Sequence, residues 1–125
     1  MDKLEKNILV VDDSRGLRQF LKIVIGTHFP HRVDEAEDGD KAVSQLIGKK
    51  FDLVITDINM PGMDGFALIR KVRDEIDKDL PIIIITTKGK DADRDTGLAM
   101  GANSYITKPI DGRKLIDTVS SLIVQ

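Results

Sequence analysis

The chain has 125 residues, with no cysteine, no tryptophan, one tyrosine and four prolines. Without cysteine there is neither a disulfide framework nor a thiolate metal site, which suits a reducing compartment. No apolar stretch approaches the roughly 20 residues that a membrane-spanning helix needs. The opening MDKLEKNILV mixes charges of both signs before a short apolar run and reads as neither signal peptide nor anchor. An excess of one charge is missing too, since 19 basic residues face 21 acidic ones for a formal charge of −2. Such a balance provides no basic field to attract nucleic acid or anionic lipid. The expectation is a soluble cytoplasmic monomer, one domain spanning residues 1–125, with no linker or repeat. At this length roughly two-thirds of the unfolded chain's surface can be buried, enough for a real core.

Short apolar runs alternate with stretches of helical period. Strands are predicted at Ile8–Val11, Arg32–Ala36, Phe51–Thr56, Pro81–Thr86 and Ser104–Thr107. Between and after them, apolar residues recur at steps of three and four. Leu17, Phe20, Leu21, Val24 and Ile25 make one helix face, and Ala42, Val43, Leu46 and Ile47 a second, with Gly48 as its stop. Leu68, Ile69, Val72 and Ile76 make a third. A fourth helix is expected over Asp91–Met100, weakly patterned and further weakened by Gly97. Leu115, Ile116, Val119, Leu122 and Ile123 stripe the last. Ser14, Asp64 and Asp111 stand where N-caps belong. The runs ILVV and IIII are apolar on both faces, so both faces of the sheet are covered. Five alternations of strand and helix predict an α/β, doubly wound, five-stranded parallel sheet with right-handed crossovers and five helices distributed over both faces.

In an open parallel sheet, ligands bind beyond the carboxyl ends of the strands. The first strand ends in Asp12 and Asp13, the third in Asp57 with Asn59 two residues on, the fourth in Thr86 and Thr87, and the fifth just before Lys108-Pro109. Each has an ordinary explanation alone: an acidic pair caps a helix, an Asp before Pro-Gly makes a turn, a strand-end Thr reflects β-propensity, a loop Lys is solvated. Their shared rim does not. Asp12 and Asp13 reach one site only if the chain leaves the pleat there, because strand side chains alternate faces. Clustered carboxylates require a proton or a cation. Oxygen-only donors select a hard ion, most simply Mg²⁺. A carboxylate can also attack phosphorus, with the Lys108 ammonium and Thr86 hydroxyl serving the phosphoryl oxygens. There is no glycine-rich phosphate loop of a common pattern and no Ser–His pair. His28 and His31 flank a proline and read as surface or loop residues.

VDDS, DINMPGMDG, IITT and YITKP occur in the order and at the separations that characterise one family. The chain resembles the response-regulator receiver domain, most closely its free-standing chemotaxis members, over nearly its whole length. The resemblance implies the strand order 2-1-3-4-5. It implies a two-component signalling protein that catalyses its own phosphorylation and dephosphorylation. A histidine kinase would be the donor and Asp57 the phosphoacceptor. Mg²⁺ would sit on Asp13, Asp57 and the carbonyl of Asn59, with Asp12 acting mainly through water. Lys108 would pair with the phosphoryl oxygens, and its bond to Pro109 looks like the family's cis peptide. Thr86 and Tyr105 align with the switch pair. Leu98, Tyr105, Thr107 and Ile110 are candidate contacts on a partner surface made by the fourth helix, fifth strand and fifth helix. Downstream partners of this family include a flagellar motor switch or adaptor, or a histidine phosphotransfer protein, and a phosphatase. Two departures stand out: Thr87 is bulkier than the usual Ala or Ser, and Lys88 replaces a frequent acid.

Other readings remain open on the sequence. A phosphorelay carrier shares every site residue. An aspartyl-nucleophile phosphatase wants an acid two residues after the nucleophile, where Asn59 stands. A flavodoxin-like cofactor binder is opposed by the acidic rim, and a receiver that works without phosphate by the complete acidic set.

Overall fold

The computed structural model describes residues 5–123. Its strands are β1 (Asn7–Val11), β2 (Arg32–Ala36), β3 (Leu53–Asp57), β4 (Ile82–Thr87) and β5 (Ser104–Lys108); its helices are α1 (Arg15–His28), α2 (Gly39–Gly48), α3 (Gly65–Lys71), α4 (Asp91–Met100) and α5 (Gly112–Leu122). Every strand pairing is parallel, and the order is β2-β1-β3-β4-β5. The expected doubly wound sheet and its 2-1-3-4-5 order are therefore present.

The sheet separates two apolar layers. Leu21 and Ile25 of α1 join Leu115, Val119 and Ile123 against Ile8, Val10, Leu53, Ile55, Ile83 and Ile85. On the other face, Ala42 and Leu46 of α2 and Leu68 and Ile69 of α3 pack on Leu9, Val11, Val54, Ile82 and Ile84. Burial on both faces explains the unbroken apolar runs Ile8–Val11, Leu53–Ile55 and Ile82–Ile85 in the central strands. Ser14, Asp64 and Asp111 each accept a backbone N–H of the helix they precede, and Asp38 does the same for α2. Such a cap contributes about 1 kcal/mol.

Several local expectations need correction. Ile47 is 72% exposed, because the buried stripe of α2 is Ala42 and Leu46 and the next residue turns past its edge. Phe20 is 39% exposed at the rim of α1. His31 is a loop residue, as expected, but buried rather than on the surface. Its ring stacks on Phe29 with centroids 5.1 Å apart, and its Nδ1 accepts the Lys6 N–H at 3.1 Å. Lys108 is the last residue of β5, paired with Thr87, rather than lying just past the strand, while β3 and β4 end in Asp57 and Thr87 as expected. Gly97 is the one buried residue of α4, packed against Ile84 of β4, where an added Cβ would lie 2.5 Å from the Ile84 Cδ1 and oblige that side-chain tip to shift.

The third helix continues as a π-helical turn over Val72–Ile76. From that turn Arg73 forks into four acceptors of two separate loops: the carbonyls of Asp77, Leu80 and Gly101 and the Oδ1 of Asn103, at 2.7–3.2 Å. Gly101 follows α4 with φ 123°, a conformation that suits glycine.

Candidate functional site

The polar residues collect where the sheet order reverses. β1 is followed in sequence by β2 on one side and flanked by β3 on the other, and a crevice opens beyond their carboxyl ends. Asp12 stands one residue past β1 and is fully buried. Its N–H donates to the Ala36 carbonyl at 3.1 Å, and its Oδ1 accepts the Ser14 N–H at 2.7 Å. Its Oδ2 has no hydrogen-bond partner among the described residues. Asp57, the last residue of β3, is 4% exposed. Its Oδ1 accepts the Ile58 N–H at 2.8 Å, with Asn59 N–H more distant at 3.4 Å. Its Oδ2 accepts from the Lys108 ammonium at 3.1 Å. Lys108 lies 4.0 Å from Asp12 Oδ2 as well, and its bond to Pro109 is cis. Asp13 is exposed, yet Asp12, Asp13 and Asp57 each offer an oxygen within 4.8 Å of the others. That is a donor set for a hard divalent cation.

The chain after Asp57 closes on itself. Gly62 takes φ 74°, and the Gly65 N–H returns to the Ile58 carbonyl at 2.8 Å. The turn leaves Asp57 at the crevice with its backbone gripped from behind, while Asn59 is exposed at the rim.

Thr86 is 4% exposed at the end of β4, its hydroxyl 3.4 Å from that of Thr107. Thr87 and Lys88 are exposed. Tyr105 and Leu98 pack, half-buried, on the layer beneath α2, α3 and α4. The Arg94 guanidinium covers the Tyr105 ring at 5.3 Å from its centroid. Ile110 belongs to the opposite layer, beside α1 and α5, where it lines a cavity of about 400 Å³ with Leu17, Phe20 and Pro109. Of the expected site residues, the structure thus unites Asp12, Asp13, Asp57 and Lys108. It sets Asn59 at their edge, and spreads Leu98, Tyr105, Thr107 and Ile110 over two sides of the sheet.

Sequence reading overlooked Arg18. It stands at helical spacing before Leu21 and Ile25, on the apolar face, where an arginine needs a reason. Its side chain is 14% exposed and reaches both Asp12 and Glu35.

Burial raises the Asp12 carboxyl from its ordinary 3.8 to about 6. The Ser14 N–H pulls it back, the Asp57 carboxylate pushes it up, and Lys108 draws it down. The folded chain then holds this proton more tightly than the unfolded chain. Through this group, the metal-free fold loses stability as pH climbs from about 4 to about 6, and no further above that. Asp12→Asn removes that slope. In thermal melts with chelator, the variant should gain on the parent between about pH 4 and pH 7; an unchanged difference would show that Asp12 titrates normally.

A family model described as the response regulator receiver domain matches residues 8–120. The chain belongs to the response-regulator receiver family. It is 37% identical over 119 residues to the transcriptional regulatory protein ResD of Bacillus subtilis, covering 95% of this chain and 48% of ResD. It is 34% identical to the phosphate regulon transcriptional regulatory protein PhoB of Pseudomonas aeruginosa, covering 94% of this chain and 52% of PhoB. The chain spans about half the length of the curated relatives it matches. Among solved structures, the chemotaxis response regulator CheY4 of Vibrio cholerae superposes with a TM-score of 0.88 at 31% identity, covering 95% of this chain and 99% of that one. The protein is accordingly a two-component signalling protein. None of its described helices is long and apolar enough to cross a membrane.

Proposed function

We propose that this receiver accepts a phosphoryl group on Asp57 from the phosphohistidine of a histidine kinase and presents the result as a changed surface at α4, β5 and α5. The observation that carries the reading is the Asp57 carboxylate itself, buried, 3.1 Å from an ammonium and clustered with two further acids. A carboxylate oxygen attacks phosphorus, the P–N bond breaks, and the imidazole leaves. Lys108 meets the phosphoryl charge as it arrives at Asp57. The Thr86 hydroxyl is a donor for the same group, so its engagement there is the contact that distinguishes the two states. The exposed Thr87 narrows the approach of attacking water, and Lys88 changes the charge that a phosphatase would meet.

The donor set fits Mg²⁺: all oxygen, three carboxylates, and one buried oxygen, Asp12 Oδ2, without a hydrogen-bond partner among the described residues. Asp13, Asp57 and the Asn59 carbonyl would hold the ion, with Asp12 beside them. Bound there, it would neutralise charge that the three acids and the phosphoryl group otherwise crowd together.

The output is less constrained. ResD and PhoB are transcriptional regulators by name, and CheY4 is a chemotaxis protein. A motor-directed output has the CheY4 likeness alone behind it. For the chemistry the test is incubation with Mg²⁺ and a small acyl-phosphate donor, followed by intact mass. A gain of one phosphoryl group, absent with chelator and removed by hydroxylamine, is expected. A gain that resists hydroxylamine would mean a hydroxyl ester and end the reading.

A further inference from the structure

Successive side chains of a strand point to opposite faces. Asp12 and Asp13 nevertheless both contribute to one cluster, with oxygens within 4.8 Å of each other and of Asp57. Something must therefore turn the peptide between them out of the pleat and keep it turned. The carbonyl of that peptide belongs to Asp12, and Arg18 Nη1 donates to it at 2.7 Å. The same guanidinium donates through Nε to Glu35 Oε1 at 3.0 Å. Glu35 is held in turn. Lys22 stands 3.7 Å from its other oxygen, and Gln45 of α2 donates to its backbone carbonyl at 2.7 Å. Arg18 of α1 thus holds the Asp12 carbonyl directly, while Glu35 of β2, itself held by Gln45 of α2, holds Arg18.

The other groups of Asp12 are engaged as well. Its N–H goes to Ala36 and its Oδ1 takes the Ser14 N–H, so Oδ2 alone has no hydrogen-bond partner among the described residues, with the Lys108 ammonium 4.0 Å away. A residue pinned at three points can aim the fourth. We propose that Arg18, oriented by Glu35, is a positioning residue for the acidic cluster: by fixing the Asp12–Asp13 peptide plane it makes two neighbouring carboxylates converge. The proposal rests on the reading of that cluster as the cation and phosphoryl site. Arg18 touches none of the reacting atoms and acts only through the Asp12 carbonyl. A lysine in its place has one nitrogen and cannot hold that carbonyl and Glu35 in a fixed fork.

The test compares wild type with Arg18→Met, which keeps the aliphatic stem and removes both donors, and with Glu35→Gln, which keeps the shape and leaves Arg18 a neutral acceptor. Mg²⁺ is titrated into metal-free protein by calorimetry. The amides of Asp13 and Ser14 are followed by NMR in chelator, and melting temperature is recorded beside both. Outer-shell partners of metal ligands typically contribute 10- to 100-fold in affinity, so Arg18→Met should weaken Mg²⁺ binding by about tenfold or more. Its Asp13 and Ser14 amides should broaden before any metal is added. The Mg²⁺ concentration for half-maximal phosphoryl gain should rise by more than the limiting rate falls. A lowered melting temperature with Mg²⁺ affinity within about twofold of wild type would make Arg18 merely structural and overturn the proposal. If Arg18→Met does not fold, Glu35→Gln decides: weaker Mg²⁺ binding supports the proposal, and unchanged binding overturns it. A wild type that binds no Mg²⁺ sinks the site reading and this proposal with it. Wild-type binding with unaltered variants sinks this proposal alone.

Discussion

Asp57→Asn is expected to abolish phosphoryl gain from an acyl phosphate at every Mg²⁺ concentration. The amide keeps the shape of the carboxylate, and an Oδ1 in the same place can still accept the Ile58 N–H. What disappears is the anionic oxygen that attacks phosphorus, together with the charge that faces Lys108 at 3.1 Å. The substitution has a second readout at Asp12. Burial is the larger cause of its raised carboxyl and stays in place, but the Asp57 charge and the contact between the two carboxyls are further causes and are lost. The Asp12 titration should therefore move down from about 6 without reaching its ordinary 3.8. Carbonyl-carbon NMR of the metal-free variant measures it. A surviving mass gain would place the acceptor on another residue, and an unmoved Asp12 titration would mean that the two carboxyls do not sense each other.

Gly65→Ala should be the most damaging single methyl in the molecule. A Cβ at this position would lie 2.4 Å from the Asp57 carbonyl oxygen and 2.7 Å from the Ile58 Cα. Both are backbone atoms of the strand end that carries the acceptor, so no side chain can swing aside. Overpacking of this kind costs up to about 3 kcal/mol, and relief requires the segment between Asp57 and Gly65 to move. Phosphoryl acceptance should fall along with stability. Gly62→Ala is the control. It has open space around it but φ 74°, so it should cost only about 1 kcal/mol through backbone strain and leave the acceptor in place. Urea denaturation of the two variants gives the comparison. Equal losses would mean that the loop does not press on Asp57.

The fold was legible because its signals are local. Unbroken apolar runs such as Ile82–Ile85 announce strands covered on both faces, and a Ser or Asp before each of several helical stripes announces a cap. The site was legible for a related reason. Strand ends are readable one at a time, and a parallel sheet brings all of them to one rim, so Asp12, Asp57 and Lys108 could be grouped before any distance was known. The misses have long reach. His31 is buried because Phe29 and the N–H of Lys6, 25 residues away, enclose it. Arg73 finds its acceptors up to 30 residues ahead. Gly97 looks like a defect in a helix until Ile84 is set against it. The π-helical turn at Val72 has no sequence mark of its own. Arg18 did carry one, a charge on an apolar stripe, but which carbonyl it serves depends on where β1 ends.

The Arg73 fork has a mechanical consequence for α4. By binding Gly101 and Asn103 it moors the trailing end of that helix to the floor of the molecule, whereas the leading end at Lys90 has no side-chain cap. A rod fastened at one tip swings widest at the other. Displacement should therefore be largest at Asp91, close to the strand end that carries Thr86, and should fade towards Met100.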